Sequence, residues 1–486
     1  MDLDPDVCYR ALTARDPRFD GLFFVGVTTT RIYCRPICPA RTPGRDRCRF
    51  FPSAAAAERA RFRPCLRCRP ELAPGNAPVD AVGRMARLAA VRIGAGVMNG
   101  DGGLETLAAE LGVSSRHLRR VLQQELGVSP VELAQTHRLL LAKQLLTETA
   151  LPIVDVAFAS GFASVRRFNG LFRSRYRLTP SDLRRTNGKE ASNETIRLTL
   201  AYRPPLAWEV MLHFLAARAV TSVEAVVGRS YLRTVELDTH RGWVKVEPAV
   251  GRHALVIEVP TSLAVALPRL LARLRNLFDL DARPDAIAQH LGRDAHLGHG
   301  VASNPGLRVP GAFDGFELAL RAVLGQQVSM RAATTLAGRL AETFGQPLDT
   351  PFAALARLSP SPGRIADARL DELTSLGLVR ARAECLRELA RAVRDKGLSL
   401  EAGADAASGI ERLTALPGIG AWTAHYIAMR AMRWPDAFPH SDLGLRKALG
   451  GLPSREVLRL AEAWRPWRAY AAMHLWTGSR VGIAHH

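Results

Sequence analysis

Cys34, Cys38, Cys65 and Cys68 stand in the pattern C-x3-C-x26-C-x2-C, and no other feature restricts the fold of this chain as tightly. Each close pair supplies two adjacent corners of a tetrahedron, so four thiolates at this spacing predict a zinc site that knots the segment into one small module. Arginines crowd the same segment: Arg31, Arg35, Arg41, Arg45, Arg47, Arg49, Arg61, Arg63, Arg67 and Arg69. A thiolate cage inside a basic field predicts a zinc site facing a polyanion; a zinc knot that only holds its module together is the alternative. The remaining Cys8, Cys48 and Cys385 are too few for a disulfide scaffold and read as buried or incidental thiols.

Charge extends this reading to the whole chain. Lys and Arg number 66 against 46 Asp and Glu, a formal +20, which points to nucleic acid. Nearly all of that charge is arginine; the lysines are Lys143, Lys189, Lys245, Lys396 and Lys447, which limits where a lysine nucleophile can sit. With 486 residues the chain has room for about three or four domains. No apolar run reaches membrane-spanning length, and the acidic start MDLDPDV is unlike a signal peptide, so a cytoplasmic protein without a membrane partner is expected.

Along the chain, Phe23, Phe24, Val25 and Val27 predict a strand leading towards Cys34, and Ser53 before four alanines predicts a short helix. Segments 71–80 and 185–194 have linker composition. Between them, 104–127 and 152–180 repeat one design: an apolar helix, a glycine turn at Gly112 or Gly161, then a basic helix. That is helix-turn-helix patterning, twice, with Ser114 and Ser164 as N-caps of the second helices. Arg116 and Arg119 on one, and Arg166 and Arg167 on the other, are the predicted DNA contacts; a helical bundle with solvated arginines is the alternative. IRLTLAYRPP (196–205) and residues 220–260 alternate apolar and polar positions, as a small antiparallel sheet with accompanying helices does, and the pattern is helical from about 262 onward.

The sharpest element of the C-terminal half is LPGIGAWTAHYIAMRA, residues 416–431. Gly418 and Gly420 permit a tight turn and bring bare amide N–H groups at a helix N-terminus up to a DNA phosphate. Asp442 follows in AFPHSDLGLRK; an aspartate after a serine also commonly caps a helix.

Together with FELALRAVLGQQVS (316–329), RPWRAYAAMHLW (465–476) and PPLAWEVMLHFLAARAV (204–220), these stretches resemble the AlkA-type 3-methyladenine DNA glycosylase II family of the helix-hairpin-helix superfamily, over nearly all of 195–486. The resemblance implies a monofunctional glycosylase that flips an alkylated purine out of the duplex and hydrolyses its N-glycosidic bond. Asp442 is implied as the catalytic carboxylate. Phe214, Trp422, Tyr426 and Trp476 are implied as the aromatic base pocket, and Gln327 as the residue entering the gap. Two positions depart from the family pattern: Leu443 replaces a tyrosine, and Gln327 an apolar wedge. Strand-cleaving relatives carry a lysine two residues after the last hairpin glycine; here that residue is Trp422.

TTTRIYCRPIC (28–38), FRPCLRC (62–68) and the 81–186 region are similar to the first half of the Ada regulators. This implies Cys34 as the acceptor of a methyl group from a DNA methylphosphotriester, beside an AraC-type domain that regulates transcription. The expected fold is multidomain, mainly α with α+β parts. It comprises a zinc module over 1–75, an AraC-type double helix-turn-helix domain over 81–186, a small antiparallel α/β domain over 194–300 and a helix-hairpin-helix glycosylase domain over 301–486. Expected partners are double-stranded DNA, at lesions and at promoter sites, and RNA polymerase; a monomer is expected. The alternatives are a regulator with an inactive glycosylase fold, a bifunctional oxidised-base glycosylase, and a glycosylase whose first half only locates DNA.

Overall fold

A computed structural model describes residues 3–75, 83–99, 103–185, 194–395 and 397–481. The chain divides into two units. One holds residues 1–204, 249–272 and 280–282; the other holds 205–248, 273–279 and 283–486.

The first unit begins with helix Pro5–Ala14, capped by Asp4, and a four-stranded sheet made by Phe24–Val27, Ile32–Cys34, Cys48–Phe51 and Arg63–Pro64. The Ile32–Cys34 strand runs antiparallel to Phe24–Val27 and parallel to Arg63–Pro64, with Tyr33 opposite Pro64. This register sets Cys34 beside Cys65, one residue past each pair, which the spacing alone did not reveal. Ser53 accepts the Ala56 N–H and starts helix Ala54–Arg59, as the alanine run predicts.

Two helical pairs follow: Leu104–Glu110 with Ser115–Leu126, and Ile153–Ala159 with Val165–Tyr176. The 19-residue helix Pro130–Glu148, opened by a Ser129–Glu132 capping box, lies between them in sequence. Leu118, Leu122 and Leu126 bury one helix face, and Phe168, Phe172 and Tyr176 another, at the i, i+4, i+8 spacing that keeps one stripe inward. Strands Thr195–Ala201 and Ala254–Pro260 pair antiparallel in the same unit.

Three sequence expectations change here. The segment 71–80 lies partly outside the described residues, as does most of 185–194, and the described part is no free linker. Glu71 is buried and accepts from Lys143 Nζ at 2.6 Å, and Gly75 N–H donates to Asp281. Arg35 does not belong to the basic surface: it is buried in an ion pair with Asp20, and its Nη1 donates to the Cys68 carbonyl. Arg69 is likewise tied inward, to Glu71 and Glu148. A guanidinium withdrawn from water needs a partner, so the buried Arg35 and half-buried Arg69 serve packing; Arg31, Arg41, Arg47, Arg49, Arg61 and Arg67 stay exposed.

The second unit carries the antiparallel meander Glu224–Val227, Ser230–Leu237 and His240–Pro248, the helix Trp208–Ala216 and the remaining helices. A buried ion network ties the meander to helix Gly315–Leu324: Arg233 contacts Glu317 at 2.8 Å, and Arg321 contacts Glu224 at 2.7 Å. Among the described residues no helix is long and apolar enough to cross a membrane.

Candidate active site and zinc centre

Helix Ala406–Thr414 ends shortly before Pro417, and Gly420 caps the next helix, Ala421–Arg430. Gly418 has φ +86°, and a Cβ there would also lie 3.2 Å from the buried Cys385 side chain. Gly420 has an ordinary φ and open space where a side chain would go. The first glycine makes the turn, and the second keeps the approach to the helix N-terminus bare.

Asp442 stands at the start of helix Leu443–Ala448, where its Oδ1 accepts the Leu445 N–H at 3.0 Å. The capping alternative therefore describes half of what this carboxylate does. The same Oδ1 accepts Trp476 Nε1–H at 2.8 Å, and Oδ2 accepts Trp422 Nε1–H at 3.0 Å. Two indoles from different helices fix the carboxylate plane.

The rings behind it form one wall. Trp422 stacks on Tyr426 with centroids 5.4 Å apart and planes 9° apart, and Tyr426 meets Trp476 at 6.3 Å. Phe214 is buried on helix Trp208–Ala216, and the Arg218 guanidinium lies 3.7 Å from its centroid. A ring expected to attract an electron-poor base thus already carries one of the protein's own cations. Arg430 Nη1 donates to the Tyr426 hydroxyl at 2.7 Å. Burial pushes the Tyr426 phenol up, but the Arg430 and Arg218 charges outweigh it and bring it down to about 8.

Gln327 is exposed, at φ +55°, on the turn after helix Gly315–Leu324. Its neighbour Gln326, unremarked in the sequence, ties that turn to the hairpin by donating to the Gly418 carbonyl at 2.9 Å and to Thr423 Oγ1 at 3.0 Å. Leu443 is exposed. Gly444 was also missed: a Cβ there would lie 3.0 Å from Asp442 Oδ1 and 3.3 Å from Trp476 Cδ1, so only glycine leaves the indole room to reach the carboxylate.

At the zinc centre the sulfurs of Cys34, Cys38, Cys65 and Cys68 all lie within 4.8 Å of one another. Tetrahedral thiolates around zinc sit about 3.8 Å apart, given a Zn–S length near 2.3 Å, so the four residues fit that ion, and an all-sulfur donor set selects it. Backbone N–H groups lie against three of the sulfurs: Arg35 donates to Cys68 at 3.3 Å, Ala40 faces Cys38, and Cys68 faces Cys65. Among the described residues no backbone N–H donates to Cys34.

On the paired helices, Ser114 accepts the His117 N–H and Ser164 the Arg167 N–H. Arg116, Arg119, Arg166 and Arg167 are all exposed near the N-terminal ends of the two basic helices. Gly161, at φ +89°, leaves space that Asn99 fills; a Cβ would fall within 2.6 Å of its side chain.

Four family models match the chain in succession: "Metal binding domain of Ada" over 7–71, "Helix-turn-helix domain" over 107–186, "AlkA N-terminal domain" over 197–314 and "HhH-GPD superfamily base excision DNA repair protein" over 320–456. The hairpin, the clamped aspartate and the thiolate cage therefore define a base-excision repair protein joined to a zinc-bearing helix-turn-helix module. The "Probable bifunctional transcriptional activator/DNA repair enzyme AlkA" of Mycobacterium tuberculosis is 44% identical over 492 residues, which cover 98% of this chain and 97% of that protein. The "DNA-3-methyladenine glycosylase 2" of Escherichia coli is 39% identical over 57% of this chain and 96% of its own. A 3-methyladenine DNA glycosylase from Archaeoglobus fulgidus shares the fold, with TM-score 0.50 and 22% identity over 58% of this chain and 98% of its own. This chain belongs to the family of bifunctional transcriptional activator/DNA repair enzymes of the AlkA type.

Proposed function

We propose that the chain is a monofunctional DNA glycosylase for alkylated purines such as 3-methyladenine, joined to a zinc-dependent methylphosphotriester acceptor that regulates transcription. The Asp442 carboxylate, held by Trp422 and Trp476 beside a ring wall, is the observation that carries this reading. An alkylated purine is cationic and leaves readily. The site has to accept the flipped base against Trp422, Tyr426, Trp476 and Phe214, and set Asp442 against the positive charge growing on the sugar. Asp442 then receives the proton of the attacking water. Gly418 and Gly420 bind a phosphate of the same strand, and Gln327 enters the space the base vacates. Residue 422 is tryptophan, so no lysine stands where a Schiff base would form.

At the other centre, Cys34, Cys38, Cys65 and Cys68 would hold zinc, which when bound would keep their sulfurs deprotonated. Cys34 sulfur attacks the methyl carbon of a methylphosphotriester; the S–C bond forms, the C–O bond breaks, and the phosphodiester departs with the electron pair. The cage loses one negative charge, its repulsion of phosphates falls, and the helices carrying Arg116, Arg119, Arg166 and Arg167 hold promoter DNA more tightly. RNA polymerase is then the partner served, and the protein works as a cytoplasmic monomer. Incubation with methylated duplex tests the reading: free 3-methyladenine without a borohydride-trapped adduct is expected, and a trapped adduct contradicts the monofunctional assignment. Cys34→Ser is expected to abolish methyl uptake and the rise in promoter affinity that follows it.

A further inference from the structure

The wall behind Asp442 has opposite charges at its two ends. From the carboxylate, contact runs to the Trp422 indole N–H at 3.0 Å, from that ring to Tyr426 by stacking, and from the Tyr426 hydroxyl to Arg430 at 2.7 Å. Arg430 is 2% exposed, and its other donors go to the carbonyls of Pro310 and Gly311. Among the described residues no carboxylate pairs with it. Its guanidinium also lies 5.0 Å from the Phe214 centroid, whose ring carries Arg218 at 3.7 Å. A buried cation without a carboxylate partner is costly to the fold, and it is out of place in a cage for positively charged bases.

We infer that Arg430, assisted by Arg218, sets a field across the pocket, positive at the base and negative at the sugar, which drives charge from base to sugar as the glycosidic bond breaks. The inference rests on the glycosylase reading above. The C1′–N bond breaks heterolytically and its electron pair goes to the base. A cationic base leaves neutral; a neutral base leaves as an anion and is protonated by solvent; water adds to C1′ and gives up its proton. In both cases the base becomes more negative by the same amount, so the field accelerates both. The ground states differ: the guanidinium repels a cationic base before reaction and is indifferent to a neutral one. Arg430 is thus a positioning residue, acting through the field and through Tyr426 rather than by touching the reacting atoms.

Single-turnover base release by the full-length zinc-loaded protein tests this, on duplexes carrying 7-methylguanine, which is cationic, or hypoxanthine, which is neutral. Arg430→Gln is expected to lower the saturating rate roughly tenfold on both, to lower the half-saturating concentration for the cationic base, and to leave it unchanged for the neutral one. Arg430→Lys, which keeps the charge, is expected to stay within about threefold of wild type on this account. Arg218→Gln is expected to give the same split at smaller size, and it supplies the reading should Arg430→Gln not fold. The same change in half-saturating concentration on both duplexes, a lysine variant as impaired as glutamine, or no release of hypoxanthine would overturn the field assignment alone. Wild-type protein releasing neither base would overturn the glycosylase reading itself.

Discussion

The Asp442 carboxylate owes its orientation to two indole N–H groups, so the tryptophans do more than present ring faces. Trp476→Phe or Trp422→Phe keeps an aromatic surface and removes one donor. Each is expected to slow single-turnover base release about tenfold with substrate affinity little changed. Equal loss of affinity and rate would return these residues to simple stacking. Tyr426 offers a spectroscopic check. Its phenol titrates at about 8, below the unfolded value, so the folded state gains stability from phenolate as pH rises from about 8 towards 10 and loses that gain as pH falls through 8. A phenolate absorbance step near pH 8 is expected in wild type, absent in Tyr426→Phe and displaced upward in Arg430→Gln. The placing of Asp442 against Trp422 and Trp476 was legible in the sequence because hairpin, spacing and flanking residues pointed to one pocket. Gly444 and Gln326 were not, since their roles depend on atoms of Trp476, Gly418 and Thr423 that no local pattern brings near.

At the scale of elements, the hairpin glycines separate stability from binding. Gly418→Ala places a side chain in left-handed backbone against Cys385 and is expected to cost about 1–2 kcal/mol in denaturant unfolding. Gly420→Ala meets open space and ordinary φ, so its melting temperature should hold while affinity for any duplex, damaged or intact, falls. A normal affinity in Gly420→Ala would show that phosphate is bound elsewhere. The helices were readable from apolar periodicity and serine caps, as in Leu118, Leu122 and Leu126 behind Ser114. The misread segments failed for one reason. Glu71 lies in linker-like sequence and Arg35 in an arginine-rich run, yet each is buried by a partner distant in sequence, Lys143 for one and Asp20 for the other. Long-range ion pairs leave no periodic trace.

For the whole molecule, the zinc centre and the hairpin site belong to separate units with separate chemistry. Zinc chelation is expected to abolish methyl uptake by Cys34 and to leave base release within about twofold, since four-thiolate sites fold with their metal. Loss of both activities would show that the second unit depends on the first. The net charge of +20 makes DNA affinity fall steeply with salt, so the two activities need comparison at one ionic strength. The central claim is that Asp442 works chemically in the pocket it helps to build. Free 3-methyladenine released from alkylated duplex, by wild type and by a folded Asp442→Asn protein, measures this most directly. The account requires release by wild type and a fall of at least about a hundredfold in the variant. No release by wild type, or equal turnover by the variant, would contradict it.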